Sequence, residues 1–78
     1  MHKNKNISII VKSIFEKNLN QKFPKIDKLK FGENKRWDSL KHIQIILNIE
    51  TEFNIKIKTS DVGKLDSFTK IVDHIKKY

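Results

Sequence analysis

The chain has 78 residues, of which 37% are hydrophobic and 33% charged, and its 17 Lys and Arg outnumber 9 Asp and Glu for a formal charge of +8. This length holds one small domain, spanning 1–78 and near the lower limit of independent stability, and leaves no room for a second, catalytic domain. The absence of Cys excludes a disulfide framework, a thiolate metal site and a cysteine nucleophile.

Ile7, Ile10, Val11, Ile14, Phe15 and Leu19 recur at the i, i+3, i+4 spacing of one helical face, with Lys12, Lys17 and Asn18 on the other. This first helix should fade near Asn20, because Asn is a poor helix former and Pro24 disfavours a helical Phe23. From Gln21 to Arg36 no period holds. Phe23, Ile26, Leu29 and Phe31 are spaced through this long loop as anchors to the core, and Gly32 marks a turn.

Asp38 is placed to cap a second helix that starts at Ser39 and runs to about Asn54, a plausible left-handed terminator. Its apolar residues fall into two groups. Ile45, Ile46, Ile49 and Phe53 form a core arc, whereas Leu40, Ile43 and Leu47 make a neighbouring stripe running away from Ser39, mixed with Gln44 and Glu50. That mixture favours a half-exposed docking surface over additional core, although periodicity alone does not decide between them.

Strand-like alternation is confined to Asn54–Lys58, and Thr59–Lys64 suits one short helical turn. Ser67 can cap a last helix in which Phe68, Ile71, Val72 and Ile75 share a face and lysines gather at the C-terminal end. The expected fold is all-α: a small four-helix bundle with three main helices, one short helix and a long first loop.

No stretch approaches the ~20 apolar residues of a spanning helix. Ser8, Lys12 and Ser13 interrupt the segment after the basic opening, so the chain reads as cytoplasmic and without stable membrane association; the oligomeric state is left open, with a monomer preferred. The charge of +8 raises an alternative, a basic helical nucleic-acid-binding domain. Its lysines are scattered along the whole length rather than clustered, and no recognition helix or aromatic platform accompanies them, so nucleic acid is not the expected partner.

Trp37 could offer a base-stacking surface but is better placed to close the loop over the helix start. His42, one turn after Ser39, points toward the Ile49 and Phe53 arc, which suits packing or solvent rather than a catalytic base. His2 and His74 lack partners at metal-ligand spacing, so no metal is expected. Ser39 lacks the Gly-x-Ser-x-Gly surroundings of a hydrolase nucleophile.

The segment Trp37-Asp38-Ser39-Leu40, followed by an amphipathic helix ending in Glu50-Thr51-Glu52-Phe53 and leaving through Ile55-Lys56-Ile57, resembles the modification-site helix of acyl carrier proteins. The Val11–Leu19 helix, the long loop, Val62–Leu65 and the Ile71–Ile75 pattern fall in the same order, so the resemblance covers roughly Ile7 to Lys77. It implies a non-catalytic carrier. Its cofactor would be 4′-phosphopantetheine on Ser39, installed by a phosphopantetheinyl transferase, with Asp38 as the cap beside it. The arm would hold an acyl or aminoacyl thioester between a loading enzyme and acceptor enzymes, and Leu40, Lys41, Ile43, Gln44, Leu47 and Glu50 would contact those partners. A serine at a helix N-terminus suits this, since free N–H groups and the helix dipole favour an anion there.

Lys41 and Gln44 stand where acyl carrier proteins commonly have acids and point to a dedicated pathway rather than bulk fatty acid synthesis, and Trp37 before Asp38 resembles discrete carriers serving specialised acyl, aminoacyl or surface-polysaccharide pathways. An armless adaptor is a third reading, opposed by the intact Asp38-Ser39-Leu40. The cargo is left open, as is whether an acyl chain is buried between the helices.

Overall fold

The computed structural model describes residues 6–78; the basic opening and His2 lie outside the described residues. The chain forms α1 (Ile7–Leu19), a 3-10 turn (Ile26–Lys28), α2 (Ser39–Phe53), a single-turn α3 (Thr59–Val62) and α4 (Phe68–Lys76). Three long helices, one short helix and a long first loop are therefore present, as the periodicity predicts. The Asn54–Lys58 alternation forms no strand; it is an extended exit in which Ile57 is buried and Ile55 half-buried.

Each long helix starts on a side-chain cap that takes up one of the N–H groups a helix start leaves free. Asn6 accepts from the Ile9 N–H, Asp38 from Lys41 and Ser67 from Lys70. The ends of α1 and α2 are built alike. Asn20 and Asn54 both adopt the left-handed conformation, with φ of 52° and 53°, a geometry that asparagine tolerates better than most residues. Four residues before each stands a glutamate whose carboxylate reaches forward past the turn. Glu16 Oε2 accepts from the Phe23 N–H and Glu50 Oε2 from the Ile57 N–H, each at 2.8 Å. The chain thus leaves both helices by the same route and turns an apolar side chain, Phe23 or Ile57, into the core.

The core lies where α1, α2 and α4 meet. Val11 and Phe15, Ile45 and Ile49, and Ile71 and Ile75 are fully buried, and Trp37 closes the cluster from the loop. The Phe15 ring stands edge-on to Trp37 at 4.9 Å and to Phe68 at 5.8 Å, the arrangement favoured by aromatic quadrupoles. On α2, Ile45, Ile46, Ile49 and Phe53 are buried as the core arc predicts.

The first loop is pinned at several points. Phe23 and Ile26 are buried and Leu29 is half-buried, as expected of anchors. Phe31 is different: it is 39% exposed and acts as a lid, its ring edge-on to Trp37 and to His42. Lys30 pairs with Ser67 in an isolated antiparallel bridge, closed by Phe31 N–H to Asp66 O at 2.8 Å and Phe68 N–H to Leu29 O at 3.1 Å. The expected turn falls at Gly32, whose φ of 96° suits glycine. At the far end of the loop, Arg36 Nη1 donates to the carbonyls of Asn20 at 2.6 Å and Leu19 at 3.3 Å. A guanidinium here supplies hydrogen bonds and positive charge where the α1 dipole is negative. The residues just before Ser39 are thereby fastened to the end of α1.

Candidate functional site

Asp38 is extended, with φ −98° and ψ −176°, so its carbonyl can begin the helix while its side chain folds back over it. The His42 N–H donates to Asp38 O at 2.8 Å and the Lys41 N–H to Asp38 Oδ1 at 2.9 Å. Ser39 is therefore the first helical residue, and it is exposed. Among the described residues, its own N–H and that of Leu40 have no partner. An accessible hydroxyl thus stands beside two free donors at the positive end of a 15-residue helix, a setting that fits a phosphodiester.

His42 supports this corner from below. The Trp37 Nε1–H donates to His42 Nδ1 at 3.0 Å, and His42 Nε2 lies 2.9 Å from the Val62 carbonyl. An indole nitrogen can only donate, so Nδ1 must be the unprotonated nitrogen and Nε2 must carry the hydrogen given to Val62. Both ring nitrogens are engaged and the residue is buried, which leaves it no part as a base for Ser39. It instead ties the start of α2 to α3, as a packing residue with a specific hydrogen-bonding role. Trp37, only 1% exposed, closes the loop over the helix start and offers no face on which a nucleotide base could stack.

Leu40, Ile43 and Leu47 are 66%, 47% and 55% exposed. They are not additional core. At about 100° per residue the three fall within about 60° of arc, a single apolar stripe leading from Ser39 along α2. Gln44 beside it is exposed and Lys41 half-buried. Glu50 is half-buried, its carboxylate bound to the Ile57 N–H, so it is not a free charge next to the stripe. No local pattern signals the Glu50, His42 and Arg36 bonds, each of which depends on a partner brought close by folding.

His74 lies 5.6 Å from the Tyr78 ring, whose hydroxyl donates to the Lys56 carbonyl at 2.8 Å. Among the described residues no group of three metal-ligating side chains converges, and no helix is long and apolar enough to cross a membrane.

No family model matches the chain. It is, however, 37% identical over 71 residues to the acyl carrier protein of Buchnera aphidicola subsp. Schizaphis graminum (strain Sg), a match covering 90% of each chain. The chain belongs to the acyl carrier protein family. An acyl carrier protein is a carrier rather than an enzyme, and it works with a phosphopantetheine group and with partner enzymes. With Trp37 buried, nothing in this acyl carrier protein favours the nucleic-acid-binding alternative.

Proposed function

We propose that Ser39 bears a 4′-phosphopantetheine arm, and that the chain holds an acyl or aminoacyl group as a thioester and hands it between a loading enzyme and acceptor enzymes of a specialised biosynthetic pathway. The observation that carries this reading is the exposed Ser39 hydroxyl at the first position of α2, beside the capping Asp38. When bound, the arm supplies the thiol on which the cargo rides.

The chain's own residues hold and present it. Ser39 provides the attachment oxygen, and the free N–H groups of Ser39 and Leu40 favour a negative charge there. Asp38 fixes the helix start through its bond to Lys41. His42 has no free nitrogen with which to act as a base for Ser39. Leu40, Ile43 and Leu47, with Lys41 and Gln44, form the surface that partners meet, and Glu50 shapes its far end through Ile57. The cationic and neutral character of Lys41 and Gln44 supports a dedicated pathway over bulk fatty acid synthesis. The carrier is read as a cytoplasmic monomer.

The test is the intact mass after incubation with coenzyme A and a broad-specificity phosphopantetheinyl transferase, alongside Ser39→Ala. One added phosphopantetheine on the wild type and none on the variant is the expected result. No addition to the folded wild type by any of several transferases would overturn the reading in favour of an armless adaptor.

A further inference from the structure

The stripe on α2 is bordered by an unusual set of charges. Three acidic side chains belong to this helix or its cap, and none lies within about 100° of Leu40 on the side that carries Gln44. Asp38 is bonded to the Lys41 N–H and Glu50 to the Ile57 N–H. Glu52 lies about 120° round the helix from Leu40 and lines the groove against α1 with Ile10 and Ile14. That flank is left to Thr51, Gln44 and Asn48, with Lys41 about 100° from Leu40 at the end nearest Ser39.

The surroundings add to the imbalance. From Gln21 to Asn48, the loop and the first two-thirds of α2, the chain has seven Lys or Arg against three acidic residues. Lys35 and Arg36, immediately before Trp37, are both exposed, Arg36 with its guanidinium bonded to the end of α1. This part of the chain therefore carries net positive charge, and a partner approaching within a Debye length of about 10 Å at 0.1 M salt experiences it.

We infer that the enzymes served by this carrier dock on the Leu40–Ile43–Leu47 stripe through an apolar recess rimmed with carboxylates. This inference rests on the carrier reading and deepens it by naming the chemistry of the partner face. The three aliphatic side chains enter the recess, while Lys41 and the loop cations meet the rim. Complementary charge of this kind chiefly accelerates encounter and rejects partners of the wrong sign. A basic docking face is repelled at low salt and an acidic one is attracted.

The experiment compares two phosphopantetheinyl transferases as probes, one with a basic carrier-binding face and one with an acidic face. Each is assayed for kcat/KM on the wild type and on Lys41→Glu/Gln44→Glu, at low and high salt, after circular dichroism has established that the variant is folded. The wild type should be modified faster by the acidic-faced enzyme, with kcat/KM falling by about tenfold as salt rises. With the basic-faced enzyme the rate should instead rise with salt. The double variant should shift both salt dependences in the opposite direction. A wild type that prefers the basic-faced enzyme at low salt, or salt dependences unmoved by the substitutions, would overturn the inference. Failure of both enzymes to modify either protein would overturn the carrier reading itself, and this inference with it.

Discussion

Replacing His42 with leucine tests the corner that supports Ser39. The substitution keeps an apolar side chain of similar bulk but removes both ring nitrogens, stranding the Trp37 indole N–H in a site only 1% exposed. An unsatisfied buried donor costs about 1–3 kcal/mol. The Val62 carbonyl also loses its donor, but that residue is half-buried and water can replace part of the loss. A net destabilisation of about 2 kcal/mol follows. For a domain of this size it corresponds to a drop in Tm of about 8–16 °C. Urea and thermal unfolding followed by far-UV circular dichroism measure it without depending on the single tryptophan. Trp37→Phe removes the donor, so the double variant should be less destabilised than the sum of the two single ones, with a coupling of about 1 kcal/mol. A His42→Leu protein within about 0.5 kcal/mol of wild type, or strictly additive effects, would refute the bonding assigned to this histidine.

Three further outcomes follow from the geometry. Glu50→Ala should cost about 1–3 kcal/mol in urea unfolding, because it strands the N–H of the buried Ile57, whereas Glu50→Gln keeps an acceptor and should cost less than about 1 kcal/mol. Asn54→Ala should lose about 1–2 kcal/mol by placing an ordinary residue at a φ of 53°, and Asn54→Gly should retain most of the stability in the same assay. The Lys70 ammonium hydrogen-bonds Asp66 at 2.9 Å and holds its carboxyl below the ordinary value of 3.8. A depressed folded-state value means that this contribution is present above 3.8 and lost as pH falls through the folded value. Wild type and Asp66→Asn should therefore differ slightly in Tm at neutral pH and converge in acid, the effect being small because the pair is exposed.

The helices were legible because their information is local. A repeating apolar face, a capping side chain and an asparagine terminator all lie within a few residues of one another, and Asn20, Ser39 and Ser67 mark boundaries that the structure shares. The two arcs of α2 could also be separated by angle. Which of them was covered depended on where α1 and α4 came to rest, and only the structure shows the stripe exposed. The spacing of apolar residues marks the loop as anchored, but in sequence Phe31 is indistinguishable from Phe23. Its partial exposure follows from the bridge between Lys30 and Ser67, a pairing between distant parts of the chain. Arg36 was one cation among many until the end of α1 arrived beside it. Glu50 read as a surface charge because helical angle says nothing about a loop that turns back to meet it. At the site, Asp38 and Ser39 were legible as cap and first helical residue, whereas the histidine beneath them acquired its role from Trp37 and Val62.

The matching exits of α1 and α2 carry a consequence for motion. Phe23 and Ile57 stand outside any helix, where amides ordinarily open readily to solvent. Each amide is nevertheless held by a glutamate rooted one turn inside the preceding helix and lies next to a side chain sealed in the core. In deuterium exchange these two positions should keep their protons about as long as the helical amides around them. Cooperative opening then extends past the visible ends of α1 and α2, so that each helix and the first residues of its exit unfold as one unit.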